Sequence, residues 1–232
     1  EELLGGNLDE PLPDLLQVGA VGDAQRDIDN AGERIFNEKF DHVKAFYRWL
    51  EQQFPEGLVM FDDNIVFAQN FYRVSGRDRF CPNTGISSLG HAIPAALGAA
   101  CTVKKPLFAM IGDGGFQMTM AELATAVAEG VEIRIAIINN GFLGMVRQWQ
   151  EFFYQGRYAM SYMDSLPDFV KLAEAYGHVG MQITRPEDVE PALKEAMKMK
   201  DRLVFMDFLT DQTENVYPMV PAGAGQNEMI LV

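Results

Sequence analysis

Ile111-Gly112-Asp113-Gly114-Gly115-Phe116, answered by Asn139-Asn140, is the stretch that decides the fold. The run before it, Pro106 to Ile111, is apolar throughout and predicts a buried strand. Gly112, Gly114 and Gly115 strip side chains from the following turn, so backbone N–H groups there can approach a ligand closely. Met118 to Glu129 then reads as a helix whose N-terminus points at the turn and favours an anion. Val131 to Ile138 is a second buried strand, ending at Asn139-Asn140 and Gly141. In a parallel sheet both strand ends lie on the edge where ligands bind. Asp113 and the Asn140 amide oxygen then face each other across that edge. Two hard oxygens of this kind suit Mg²⁺ when it also holds phosphate oxygens.

Outward from this unit the same alternation continues. Val43, Phe46, Tyr47 and Leu50 recur at helical spacing within Phe40 to Phe54, before Pro55-Glu56-Gly57 breaks the pattern. Leu58 to Phe61 predicts a short buried strand, Asp62-Asp63-Asn64 its end, and Ile65 to Phe71 a helix. Arg73 to Asn83 reads as a polar loop, Gly85 to His91 as a small-residue loop, and Pro94 to Val103 as a helix with proline in its first turn. Leu143, Met145, Val146, Trp149 and Phe152-Phe153 form a helical pattern within Gly141 to Tyr154. Leu166-Pro167-Asp168 starts a helix to Tyr176, Val179 to Ile183 is a strand, and Leu203 to Phe208 is a last buried strand. Between those two strands a helix runs to Lys200, with Thr184 as its N-cap and Glu187 at the capping-box position. Strands alternating with helices predict an α/β fold, a doubly wound parallel sheet with helices on both faces. Residues 40–232 form that domain. Residues 1–39, rich in Gly, Asp, Asn and Pro, read as a linker or the remnant of a preceding domain.

Composition excludes several classes. The 232 residues carry a net charge of −14, which argues against nucleic acid or an anionic membrane as partner. A site for a diphosphate must therefore be built locally, from backbone dipoles and a metal. Cys81 and Cys101 have no metal-ligand spacing and point to a reducing compartment. No apolar run reaches membrane-spanning length, and no signal peptide opens the chain. The chain starts at Glu1 rather than Met, as if trimmed or excised from something longer.

Gly112-Asp113-Gly114, followed at this distance by Asn139-Asn140, resembles the motif of thiamine-diphosphate enzymes. Gly141 to Gln150, Leu166 to Gly177 and Asn215 to Ala224 look specifically like the catalytic subunit of acetolactate synthase. The resemblance covers roughly Leu58 to Val232. It implies decarboxylation of pyruvate on thiamine diphosphate and transfer of the two-carbon unit to a second 2-ketoacid, a step of branched-chain amino acid biosynthesis. It further implies that Asp113, the Asn140 side chain and the Phe142 carbonyl hold Mg²⁺. Gly112, Gly114, Gly115, Leu143 and Gly144 would line the diphosphate, with backbone N–H groups of Gly114, Gly115, Leu143 and Gly144 donating to it. Asn64 would add a donor. Leu89 would sit as an apolar wedge beneath the cofactor, with Ser87 and Leu89 backbone groups at the pyrimidine edge. Met145 touches the cofactor in this picture, and Met145 and Trp149, one turn apart, face the substrate.

The same resemblance leaves this chain without a catalytic residue of its own. The glutamate that works on the pyrimidine ring belongs to a pyrimidine-binding domain of another subunit or chain. A homodimer or tetramer, a regulatory subunit and a flavin (FAD) on a middle domain outside this chain are also implied. The expected location is cytoplasmic in a bacterium and plastid in a plant. Asp62-Asp63 departs from the family's turn, where two carboxylates would repel a phosphate unless turned away. That departure keeps another decarboxylase, carboligase or acyl-CoA lyase open. A non-catalytic module and an unrelated nucleotide-binding protein remain further alternatives. His42 is expected to be exposed, His178 to be structural, and His91 is open between cofactor and structure.

Overall fold

The computed structural model describes residues 40–65 and 71–230. The linker reading of residues 1–39 and most of the helix expected over 65–71 lie outside them. In chain order the elements are α1 (Asp41–Gln53), β1 (Val59–Asp62), β2 (Arg79–Pro82), α2 (Ala92–Ala100), β3 (Leu107–Gly112), α3 (Asp113–Thr119), α4 (Glu122–Glu129), β4 (Ile133–Asn139), α5 (Gly144–Phe153), α6 (Phe169–Ala175), β5 (Val179–Ile183), α7 (Pro186–Ala196) and β6 (Leu203–Leu209). The six strands form one sheet in the order β2-β1-β3-β4-β6-β5, parallel throughout. Its central strands are buried along nearly their whole length and mostly apolar, Arg134 and Asp207 being the charged exceptions, because both faces are covered.

Alternate residues divide between two layers. Leu107, Ala109 and Ile111 share a core with Ile133, Ile135, Ile137, Phe116, Phe169 and Phe205. On the other face Phe46 of α1 meets Phe108 and Phe208 edge-on, with ring centroids 6.2 and 5.2 Å apart. Burying a dozen such side chains stabilises the sheet by about 1.5–3 kcal/mol each. After β1 the chain turns to β2 on one side; after β3 it turns to β4 on the other. The carboxyl ends of β1 and β3 therefore bound a topological switch point, where an α/β sheet opens a crevice.

Four local expectations are corrected. Arg79–Pro82 is an edge strand rather than loop; its side chains are largely exposed, so no alternation marked it. The helix after β3 begins at Asp113, not Met118, and α4 follows it after a break at Met120-Ala121. Thr184 is not the N-cap of α7. That position is Arg185, because Pro186 already stands in the first turn, and the Thr184 hydroxyl faces Asp188 at 3.4 Å. His42 is buried at 3% exposure, its ring near Phe208 and its Nε2 3.0 Å from the Leu209 carbonyl. Asp168 does cap α6, accepting the Lys171 N–H.

The chain divides into two compact units, and the one that holds the sheet ends at Val216. In the other, Met219 and Ile230 exchange two backbone hydrogen bonds in an antiparallel bridge, and a short 3₁₀ turn (Gln226–Glu228) lies between them. Among the described residues no helix is long and apolar enough to cross a membrane.

Candidate active site

The crevice is walled first by the turn after β1. Asp63 is buried, and its carboxylate accepts the N–H groups of Gly90 (2.6 Å) and His91 (3.0 Å) and the amide of Asn83 (3.0 Å). Burial pushes this carboxyl up, and those three donors draw it back. Asp62 accepts the Ile65 N–H at 3.1 Å. Both carboxylates thus accept donors from the protein, and Asp63 does so while standing in the lining of the crevice. Asp63 is a tether for the loop that carries Leu89. A Cβ on Gly115 would stand 2.6 Å from the Asp63 Oδ2, so α3 can lie this close only with glycine there. The Thr119 hydroxyl, donating to the Gly90 carbonyl at 2.9 Å, sews α3 to the same loop.

The second wall is the knot between β3 and β4. Asp113 is only 1% exposed and accepts the N–H of Gly141 at 2.6 Å and that of Gly114 at 2.8 Å. Desolvation raises its carboxyl to about 6, against the pull of those N–H groups; the nearby Asp207 adds to the rise. A carboxylate destabilised in this way gains from a cation. The two asparagines divide their work. Asn139 donates to Asp207 at 3.0 Å, inside the sheet, whereas Asn140 lines the crevice, its Oδ1 accepting the Phe142 N–H at 3.0 Å. A Cβ on Gly144 would stand 2.8 Å from the Asn140 Nδ2, so this start of α5 also needs glycine.

Phe142 pairs with Tyr162 across a short bridge, but the bonds are made by its neighbours, Leu143 N–H to the Ser161 carbonyl (2.8 Å) and Met163 N–H to the Gly141 carbonyl (2.9 Å). The Phe142 carbonyl is left outside that ladder. Two expected phosphate donors are corrected here. The Leu143 N–H is committed to Ser161, and the Gly114 N–H to the Asp113 side chain. Gly115 and Gly144 lie in the first turns of α3 and α5, where amide groups have no partner within the helix.

One cavity of about 130 Å³ brings together Asn64, Leu89, Gly112, Asp113, Gly114, Gly115, Asn140, Phe142, Leu143, Gly144 and Met145. A second, of about 680 Å³, adds Ser87 and Trp149 and shares Asn64, Leu89 and Met145 with the first. Every residue expected at the cofactor, the metal or the substrate pocket lines one of the two. His91 lines neither and is exposed; His178 is structural, its Nδ1 accepting the Leu203 N–H at 3.3 Å. Asn83, which ties Asp63 to the Ser88 carbonyl, and Gln148, which brackets Val216, were missed; a lone amide carries no signal of its partner.

The donor set fits a magnesium diphosphate. It offers one buried carboxylate, one side-chain amide and one backbone carbonyl, beside the first-turn amide groups of α3 and α5. Among the described residues no group of three His, Cys, Asp or Glu side chains is placed to hold a metal ion.

A family model described as the thiamine pyrophosphate enzyme C-terminal TPP binding domain matches residues 63–208. The acetolactate synthase large subunit of Haemophilus influenzae is 44% identical over 167 residues, 72% of this chain and 29% of that protein. Its counterpart in Corynebacterium glutamicum is 47% identical over 150 residues, 62% of this chain and 24% of that protein. A thiamine-diphosphate-dependent 4-hydroxybenzoylformate decarboxylase from Rhodococcus jostii superposes with a TM-score of 0.63 at 24% identity, over 75% of this chain and 33% of its own; this likeness concerns the fold alone. The chain spans less than a third of the length of these curated relatives.

Proposed function

The chain belongs to the thiamine pyrophosphate enzyme C-terminal binding-domain family, and on that premise we propose that it is the diphosphate- and Mg²⁺-binding part of an acetolactate synthase. The whole enzyme would decarboxylate pyruvate and pass the two-carbon unit to a second 2-ketoacid. One observation carries the reading: a buried, raised carboxylate, Asp113, stands beside Asn140 and two glycine-led helix starts in a single crevice. Thiamine diphosphate, when bound, supplies the electron sink for decarboxylation.

The residues of this chain have supporting roles. Asp113, the Asn140 side chain and the Phe142 carbonyl would hold Mg²⁺, while first-turn N–H groups at Gly115 and Gly144 would take phosphate oxygens. Leu89, at 40% exposure and held by the Asp63 tether, would press on the cofactor from below. Met145 and Trp149 would wall the acceptor pocket. Proton transfer at the pyrimidine ring would come from a glutamate of a pyrimidine-binding domain on a partner, general acid–base work that this chain does not supply.

The reading is tested by mixing the chain with thiamine diphosphate, Mg²⁺, pyruvate and a complementing pyrimidine-binding domain. Acetolactate is the expected product, with none formed by the chain alone. Carbon dioxide released with acetaldehyde and no acetolactate would replace the synthase with a decarboxylase.

A further inference from the structure

The opposite edge of the sheet carries a second chemistry. At the amino ends of β3 and β4 lies a cavity of about 350 Å³, within the size range of small-molecule sites. Each central strand is six or seven residues long, so this cavity is about 20 Å from the Asp113 crevice. Arg134, Lys104, Lys105 and Lys200 line it, with Glu132 as the one acidic residue in the lining. Four cations against one carboxylate leave a local excess of positive charge on a chain whose net charge is −14.

A bland account is that these cations offset the carbonyl ends of α2 and α7, which terminate here. That account covers part of the set. Arg134, 3% exposed, does donate its Nη2 to the carbonyls of Ala196 (3.0 Å) and Met199 (2.7 Å) at the end of α7, and Lys105 is taken up elsewhere, by the loop carbonyls of Glu56 (3.0 Å) and Arg77 (2.8 Å). It leaves a remainder. The Arg134 Nε is buried without a partner. Glu132 is shared between Arg134 (3.2 Å) and Lys200 (3.4 Å), one carboxylate for two cations. Lys104 is exposed and, among the described residues, has no hydrogen-bond or ion-pair partner. Val103, Leu107 and Met197 add apolar side chains to a lining that is otherwise mostly polar.

We infer that this cavity is a binding site for a small phosphorylated molecule, its phosphate held between Lys104, Lys200 and the Arg134 guanidinium and its remaining part against Val103, Leu107 and Met197. A guanidinium and two ammonium groups match a phosphate's several oxygens. The inference is independent of the function proposed for the opposite edge.

The test is two-dimensional NMR of the whole chain, titrated with inorganic phosphate and with phenyl phosphate at constant ionic strength held by chloride. The expected result is saturable shifts of the amides of Val103 to Leu107 and Glu132 to Arg134, several-fold tighter for phenyl phosphate. The surface double variant Lys104→Gln/Lys200→Gln, which leaves the fold intact, should lose them at least tenfold. Shifts confined to Gly112 to Gly115, shifts that chloride reproduces, or binding unchanged in the double variant would overturn the site.

Discussion

Two helices of this domain are built inside out relative to each other. In α7 the apolar residues Val189, Leu193 and Ala196 are buried and the charges pair in solvent, Lys194 with Glu190 at 2.7 Å. In α5 the buried residues are Arg147 and Gln148, while Val146, Trp149 and Phe153 are 45, 47 and 45% exposed. Gln148 grips both backbone groups of Val216, at 2.9 and 2.7 Å, and Arg147 bonds Asn215 at 2.9 Å and Glu151 at 2.9 Å. A helix held by polar clasps on its inner side keeps its apolar side for something other than its own core. On α5 that side walls the larger cavity. Amphipathicity alone thus does not say which face of a helix is inward; what the polar residues clasp decides it.

The contrast can be broken, and the largest effect should come from α7. Leu193→Ala empties a fully buried position and should cost about 2–5 kcal/mol in equilibrium urea unfolding. On α5 the costly change is polar. Gln148→Leu leaves the N–H and carbonyl of Val216 without their partners and should cost about 1–3 kcal/mol, despite adding apolar surface. A stabilised Gln148→Leu chain would show that the clasp is incidental. The next effect is on pH. The Asp113 carboxyl, at about 6, keeps its proton where an unfolded aspartate near 3.8 has lost it. The metal-free fold therefore loses stability from this group as pH rises from about 4 to 6. Mg²⁺ must displace that proton, so Mg²⁺-dependent cofactor affinity should fall about tenfold per pH unit below 6 and level off above it, as read by calorimetry between pH 5 and 8. The smallest effect should be Trp149→Ala, within about 0.5 kcal/mol of the parent in the same unfolding assay. A loss as large as that of Leu193→Ala would make α5 an ordinary core helix.

The sheet was legible because its central strands are buried on both faces: Pro106 to Ile111, Val131 to Ile138 and Leu203 to Phe208 are dominated by apolar residues, with Glu132, Arg134 and Asp207 the only charges in them. The edge strand at Arg79 was not, since half-solvated residues there look like loop. In the crevice, the meeting of Asp113 and Asn140 was legible from type and spacing. The direction of the Asp63 carboxylate was not, because its partners, Asn83, Gly90 and His91, are 20 to 28 positions away along the chain. The partner of the Leu143 N–H, Ser161, was hidden for the same reason, whereas Gly114 gives its N–H to its own chain neighbour, Asp113.

The central claim is that Asp113 anchors a metal–diphosphate in the crevice between β1 and β3. Its most direct test is calorimetric titration of the chain and of Asp113→Ala with thiamine diphosphate, with and without Mg²⁺. The account predicts binding by the parent chain only when Mg²⁺ is present, and none by Asp113→Ala. Equal binding by both, or binding indifferent to Mg²⁺, would contradict it.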